Sequence, residues 1–179
     1  MTFSIEIASF EDKNTADSVY KILCACDQDF YPPLSARDSS VSTSFAVTNT
    51  TGSLEAYFSE MRNQVLLIAR EGSEIVGFMS FRHSFQMQEL GEWSPANYIT
   101  TICVDPSQRG KGICSAFYDF MLNALPAEIS SPVTATRTWS LNENHLRLLD
   151  KLNFTLVKEL IDDRGPGVDT VYYARKTPN

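Results

Sequence analysis

The sequence predicts a mixed α/β sheet with helices on both faces, and three observations carry that prediction. VLLIAR (65–70) and IVGFMSF (75–81) are apolar runs joined by the turn EGSE, the pattern of a β-hairpin. NYITTICV (97–104), a helical stretch and PVTATRTWS (132–140) make a central β-α-β unit. FTLVKEL (154–160) and VDTVYYARK (168–176) flank the loop IDDRGPG and read as a closing pair of strands.

The remaining elements follow in chain order. FSIEI (3–7) alternates apolar and polar residues, so a half-buried strand is expected. Residues 11–26 carry Val19, Ile22, Leu23 and Cys26 at helical spacing. Asp27 to Thr51 is irregular and rich in Ser, Thr and Pro, with YPPL near its start. It reads either as a substrate-side loop with short helical pieces or as a flexible excursion. A second helix is expected over Leu54–Arg62. Residues 83–96 are polar, contain Gly91 and Pro95, and read as a loop. The strand 97–104 is rich in β-branched residues. Ile113, Ala116, Phe117, Phe120, Met121 and Ala124 form the buried stripe of the helix after it. Leu141–Leu152 is a short helix with His145, Leu148, Leu149 and Leu152 on one face. No internal repeat or low-complexity tract interrupts this order.

Composition narrows the function classes. The chain has 179 residues, 43% hydrophobic and 21% charged, which suits one folded domain over 1–179. Its net charge of -7 disfavours a nucleic-acid surface, since phosphate neutralisation needs a basic face. It is compatible with a cationic amine substrate, and solubility explains it equally well. No apolar run approaches the ~18 residues of a membrane span. MTFSIEIASFEDK lacks a basic stretch followed by an apolar one, so a cytoplasmic protein without a membrane partner is expected. Cys24, Cys26, Cys103 and Cys114 lack C-x-x-C spacing, and only His83 and His145 accompany them, so no metal site is expected and the thiols read as reduced and mostly buried.

The chemistry concentrates in VDPSQRGKGICSAFYDFMLNAL, residues 104–125. Pro106 ends the strand, and two glycines, Arg109 and Lys111 stand at the first turn of a helix. Free N–H groups at a helix start and the helix dipole attract an anion, and glycines let the backbone approach it. G-x-x-x-x-G-K-[ST] is absent, and G-x-G-x-x-G fails because position 115 is Ser115. A glycine turn that only joins strand to helix accounts for the glycines alone.

The whole string goes further. V-x-P-x-x-R-G-x-G-I-x-S before an amphipathic helix resembles the acyl-CoA-binding segment of the GNAT superfamily of N-acyltransferases. The family pattern [RQ]-x-x-G-x-[GA] falls on Arg109, Gly112 and Cys114, with Cys114 a small residue in place of Gly or Ala. Asn142 to Phe154, N-x-x-x-x-x-L-L-x-K-L-N-F, resembles the family's N-x-x-A-x-x-L-Y-x-K-x-G-F segment. Asn153 stands for the glycine, and Asn tolerates left-handed backbone. The resemblance spans most of 65–176 and leaves 27–60 as a variable, acceptor-side region.

The resemblance implies a mostly antiparallel twisted sheet of six to seven strands and an acetyl-CoA cosubstrate. Ile102, Cys103 and Val104 would pair with the pantetheine arm. The amides of Gly110, Lys111, Gly112, Ile113, Cys114 and Ser115 would hold the pyrophosphate, and Asn142 would contact the cofactor. The amide near Val104 would polarise the thioester carbonyl. An amine acceptor, a small molecule or a peptide, would attack directly, in a monomer or homodimer. The family often supplies a glutamate on the central strand and a tyrosine in the later helix. Here the strand has no carboxylate, and Leu149 aligns with the tyrosine. Glu92, Tyr98 and His145 remain as candidates for proton transfer, and each also has an ordinary structural reading. Cys103 or Cys114 as an acyl carrier competes with a packed small residue. Arg82 and His83, with Trp93 and Tyr98 flanking the loop, line either an acceptor pocket or the sheet edge. The expected activity is N-acetylation. The alternatives are a non-catalytic CoA-binding sensor or interaction module, and a domain that binds another phosphorylated ligand.

Overall fold

The computed structural model describes residues 3–37, 40 and 53–177. Seven strands form one sheet: β1 (Ser4–Ala8), β2 (Val65–Glu71), β3 (Glu74–Phe85), β4 (Ala96–Val104), β5 (Val133–Trp139), β6 (Thr155–Leu160) and β7 (Thr170–Lys176). Their order is β1-β2-β3-β4-β5-β7-β6. Every neighbouring pair is antiparallel except β4 with β5. That parallel pair needs a crossover, and α3 (Ile113–Asn123) supplies it. α1 (Lys13–Cys26), α2 (Leu54–Met61) and α4 (Glu143–Lys151) complete the fold. The mixed α/β sheet is thus observed at the upper end of the expected strand count.

β2 explains why VLLIAR is apolar at successive positions. Leu66 and Ile68 pack with Val19, Leu23, Tyr57 and Met61 of α1 and α2. Leu67 and Ala69 pack with Phe117, Tyr118 and Met121 of α3 on the other face. A strand covered on both sides has no polar face to show. The helices begin where side chains satisfy their free amides. Asp12 accepts the Thr15 N–H at 3.0 Å before α1, and Ser53 accepts that of Ala56 before α2.

Two stretches differ from expectation. β3 runs on to Phe85, so 83–85 is strand, and the remaining loop holds short 3-10 turns over Gln88–Trp93. The extension survives because Asn97 binds the irregular backbone: its Oδ1 accepts the Ser84 N–H where Ser84 adopts a φ of 48°. Asp27–Asp29 and Leu34–Ala36 are the short helical pieces expected after α1. The rest of that expected loop, 38–39 and 41–51, lies outside the described residues.

One irregularity organises the centre. Ser80 pairs with Thr101 and Phe81 with Ile99, so Thr100 is an extra residue on β4. Its hydroxyl accepts or donates to Ser80 Oγ at 3.0 Å and also meets the Gln64 side chain. The bulge flips the alternation. Ile99 joins the α3 side, and beyond Thr100 it is Ile102 and Val104 that pack there, while Cys103 faces α1.

Candidate active site

β4 and β5 pair only through Asn97–Ile99 with Thr134–Thr136. Past the bulge they part and leave a cleft of about 420 Å³ between Thr100–Val104 and Arg137–Trp139. Past Ile99 the β4 wall of this cleft pairs with no strand. Asp105 N–H donates to the Val76 carbonyl at 2.9 Å. In an antiparallel ladder alternate residues point the same way, so Cys103 also bonds toward β3 while the N–H groups of Ile102 and Val104 turn to the cleft.

The cleft passes through the sheet. Alternation along β5 puts Thr136 and Thr138 on the α3–α4 side and Arg137 and Trp139 on the α1–α2 side. Contacts agree: Asn142 donates to Thr138 Oγ1 at 3.0 Å, and the Trp139 ring lies 6.2 Å from that of Phe30. One end is walled by Cys114, Asn142, His145 and Leu148, the other by Phe30, Arg37, Arg137 and Arg164.

The loop into α3 is built for its backbone. The Asp105 carboxylate accepts the Ser107 N–H and O–H at 2.9 and 2.6 Å. Gly110 and Gly112 take φ of 78° and 82°, the left-handed region that glycine tolerates. Gly112 begins α3 without a capping side chain, and nothing lies within 4 Å of where its Cβ would stand. The first amides of α3 thus have no side-chain cap at the positive end of the helix dipole.

Of the residues expected to bind cofactor, Ile102, Cys103, Val104, Arg109, Cys114 and Asn142 line the cleft. Gly110, Lys111, Gly112, Ile113 and Ser115 form the adjoining loop and first helical turn. The Ile113 side chain enters the core, which leaves only its backbone available. Lys111 reaches Glu71 at 3.6 Å and also meets Gln108, so its charge is held beside β2. Arg109 crosses the cleft mouth to Asp29, its Nε 3.4 Å from the Val104 carbonyl.

Several other expectations are redirected. Glu92 is exposed on the Gln88–Trp93 turn, beside β6 with Trp93, and lines no part of the cleft. Arg82 pairs with Glu60 and stacks 5.0 Å from the Phe85 ring; His83 Nδ1 meets Asn97 Oδ1 at 2.9 Å. Both lock the β3 extension instead of lining a pocket. Tyr98 is fully buried, and burial pushes its hydroxyl pKa up. His145 does face the cleft, and its Nε2 lies 2.7 Å from the hydroxyl of Tyr118 on α3. Burial pushes its pKa down to about 4, so the ring is neutral at pH 7. Leu149 is fully buried in the α3 core, while its neighbour Leu148 lines the cleft.

The thiols divide by environment. Burial pushes Cys114 up to about 12 and raises Cys103 as well, so neither is a ready nucleophile. Cys26, at the end of α1, lines the cleft and is shifted down, by the hydrogen bond from Cys103 and then by Arg109. Sequence reasoning passed over Cys26, Asp29, Arg37, Arg137 and Arg164. Only Arg137 left a signal there, as the one charge inside PVTATRTWS.

The chain matches the sequence profile of the Acetyltransferase (GNAT) family over residues 17–154. No curated protein matches it in sequence. Among solved structures it is similar to an aminoglycoside 6'-acetyltransferase type Ii, with a TM-score of 0.69 at 15% identity over 98% of both chains. It is similar to yncA from Salmonella typhimurium, solved with acetyl-CoA, with a TM-score of 0.61 at 16% identity over 100% of this chain and 96% of that one. The ribosomal-protein-S18-alanine N-acetyltransferase from Escherichia coli gives 0.65 at 11% identity over 99% and 96%. At these identities the structural likeness speaks for the fold.

Proposed function

The chain belongs to the GNAT acetyltransferase family, and we propose that it moves an acetyl group from acetyl-CoA directly to a primary amine. The observation that carries the reading is the parted edge of β4, whose free amides open into a cleft that ends at the uncapped start of α3. The residues present fit the cofactor. A strand edge with unpaired N–H groups suits an extended amide-bearing arm. A helix start without a cap, flanked by Gly110 and Gly112, suits a pyrophosphate. When bound, acetyl-CoA supplies a thioester whose C–S bond is exchanged for a C–N bond.

The chain's own residues have the following roles. The amides of Ile102 and Val104 pair with the arm and donate to the thioester oxygen, where charge develops. The amides from Gly112 to Ser115 hold phosphate, while Arg109 stays paired with Asp29 at the cleft mouth. Asn142 and Leu148 hold the arm from the α4 side. His145 stays neutral and, with Tyr118, keeps this wall uncharged. β4 carries no carboxylate, and Asp29, the one acid among the described cleft residues, is engaged by Arg109. The amine's proton therefore leaves to water in the open cleft. Direct transfer agrees with the raised Cys103 and Cys114 thiols.

The test is thermal unfolding with acetyl-CoA against ATP, followed by thiol release with an amine panel. A ligand at 100 times its Kd adds about 2.7 kcal/mol, a shift of several degrees at this length. A shift with acetyl-CoA only, then turnover that rises with pH toward the amine's own pKa, is the expected result. No shift overturns the reading. A shift with no turnover on any amine makes the protein a cofactor-binding module, the reading that the missing strand carboxylate favours.

A further inference from the structure

The α4 wall of the cleft holds a polar group that the roles above leave idle. Asn142, His145 and Leu148 all line the cleft. They stand three residues apart, so one face of α4 looks into it. The two ring nitrogens of His145 meet different surroundings. Nε2 lies 2.7 Å from the hydroxyl of Tyr118 on α3. Nδ1 makes no hydrogen bond among the described residues. The enclosed polar atoms that lack a partner there are Arg82 Nε, Tyr98 Oη and Ser131 Oγ, so Nδ1 is open where they are shut in. The edge of the ring that the cleft meets is its Nδ1 edge.

Tyr118 decides which of the two nitrogens carries the proton. It is fully buried, and its hydroxyl has one hydrogen to place. Thr136, the other hydroxyl beside it, is turned to the Ile99 carbonyl at 3.4 Å. No carbonyl or carboxylate accepts from Tyr118 among the described residues, so the acceptor is Nε2. A neutral ring that accepts at Nε2 carries its hydrogen on Nδ1. Burial keeps the ring neutral, with a pKa of about 4, and pushes the Tyr118 hydroxyl up, so neither group ionises near pH 7. The cleft thus meets an N–H donor that a buried phenol holds in one tautomer.

Acetyl transfer needs donors at two atoms. Charge develops first on the thioester oxygen, which the β4 amides take, and then on sulfur as the C–S bond breaks. The α3–α4 wall across from β4 offers few groups for the sulfur. Asn142 already donates to Thr138 Oγ1 at 3.0 Å. Cys114 is a weak donor, and burial raises its thiol to about 12. The Nδ1–H of His145 is unengaged and stands between Asn142 and Leu148, on the face that holds the arm.

Resting on the acetyl-transfer reading above, we propose that His145 is a catalytic residue whose Nδ1–H donates a hydrogen bond to the sulfur of the departing CoA thiolate, with Tyr118 as the positioning residue that sets the tautomer. The amine nitrogen bonds to the acetyl carbon, the C–S bond breaks with its electron pair going to sulfur, and the amine's proton goes to water. The imidazole gives no proton away, because a neutral ring N–H is a far weaker acid than a thiol. The thiolate takes its proton from water after it leaves.

The experiment uses the full chain, whose only histidines are His83 and His145. Ring nitrogen NMR shifts of the free protein at pH 7 report the tautomer of each, and His145→Gln identifies the signals of His145. Thiol release from acetyl-CoA then gives kcat and KM with the amine that the parent turns over fastest. The expected result is the Nδ1–H tautomer at His145. In His145→Gln, kcat should fall about 10- to 100-fold, the cost of losing a hydrogen bond to a charged group, with the KM for acetyl-CoA little changed. His145→Asn, whose amide nitrogen reaches where Nδ1 stood, should recover most of that loss. Tyr118→Phe should give mixed tautomers and a smaller fall in kcat, whatever it costs in stability. An Nε2–H tautomer in the parent, an unchanged kcat in His145→Gln, or equal losses in the Gln and Asn variants overturns the proposal and leaves the acetyl-transfer reading standing, since the parent still turns over. No turnover by the parent with any amine overturns that reading and the role of His145 with it, whichever tautomer is found.

Discussion

The two ends of the cleft are made in different ways. The end proposed for the cofactor is one continuous stretch, Ile102 to Ser115, in which strand edge, turn and helix start follow one another and the backbone would do most of the work. The other end draws Phe30, Arg37, Arg137, Trp139 and Arg164 from three separate segments, and there side chains form the wall. A backbone site tolerates most side-chain changes and fails when its conformation is denied. A side-chain site keeps its fold through substitutions and changes its ligand instead. The contrast can be attacked from either side.

The harshest attack denies the backbone. Gly112→Val places a β-branched residue at a φ of 82° and fills open space at the helix start. It should cost about 1–2 kcal/mol of stability and abolish the acetyl-CoA shift in unfolding temperature. Gly112→Asn, which accepts this conformation more readily, should recover the stability and not the shift. A full shift in both variants would mean that the cofactor does not use this turn.

Next comes a pair on one helix. Leu149→Ala removes a fully buried side chain from the α3–α4 core and should lower stability by about 2–5 kcal/mol, with cofactor binding retained while folded. Leu148→Ala should do the reverse, weakening acetyl-CoA while sparing stability. Binding lost in Leu149→Ala at a temperature where it is folded would reverse the assigned orientation of α4.

Acid stability gives a smaller effect. The folded His145 titrates near 4, below its ordinary 6.5, because burial disfavours the cation. The unfolded chain thus binds more protons between these values, so stability is full above pH 6.5 and is lost as pH falls toward 4. His145→Gln should flatten that part of a denaturation midpoint against pH profile. An unchanged slope would assign the acid sensitivity elsewhere.

The smallest change is expected at the junction of the two ends. Cys26→Ala should leave turnover within a few-fold, because direct transfer needs no thiol. A collapse of turnover, with acetyl-enzyme detectable by mass in the parent protein, would replace direct transfer by a two-step route through Cys26.

How much of this was legible follows the same division. The hairpins, the crossover helix and the glycine turn are local patterns, so VLLIAR, IVGFMSF and R-G-K-G-I-C announced them. Arg109, Cys114 and Asn142 line the cleft, and each was legible because it sits in one of two short local motifs. Arg37 and Arg164 were silent, since each sits in a polar loop where an arginine is unremarked until the fold brings the loops together. For Glu92, Arg82 and His83 the ordinary structural alternative is the one the fold takes, and it was not decidable locally because the β3 extension depends on Asn97, a side chain fourteen residues from His83. Tyr98 was noticed as a candidate for proton transfer, and only the fold shows that it is fully buried.

The extra residue at Thr100 has a consequence for how this chain can change over time. Before it and after it, the same parity of position serves opposite faces of the sheet. Substitutions on either side can therefore accumulate freely, while a change of length cannot. Removing one residue between Tyr98 and Ile102 would exchange the roles of Cys103 and its neighbours and let β4 zip onto β5. Insertions and deletions should thus be confined to segments such as 27–60, and β4 should vary in letters but keep its nine-residue count.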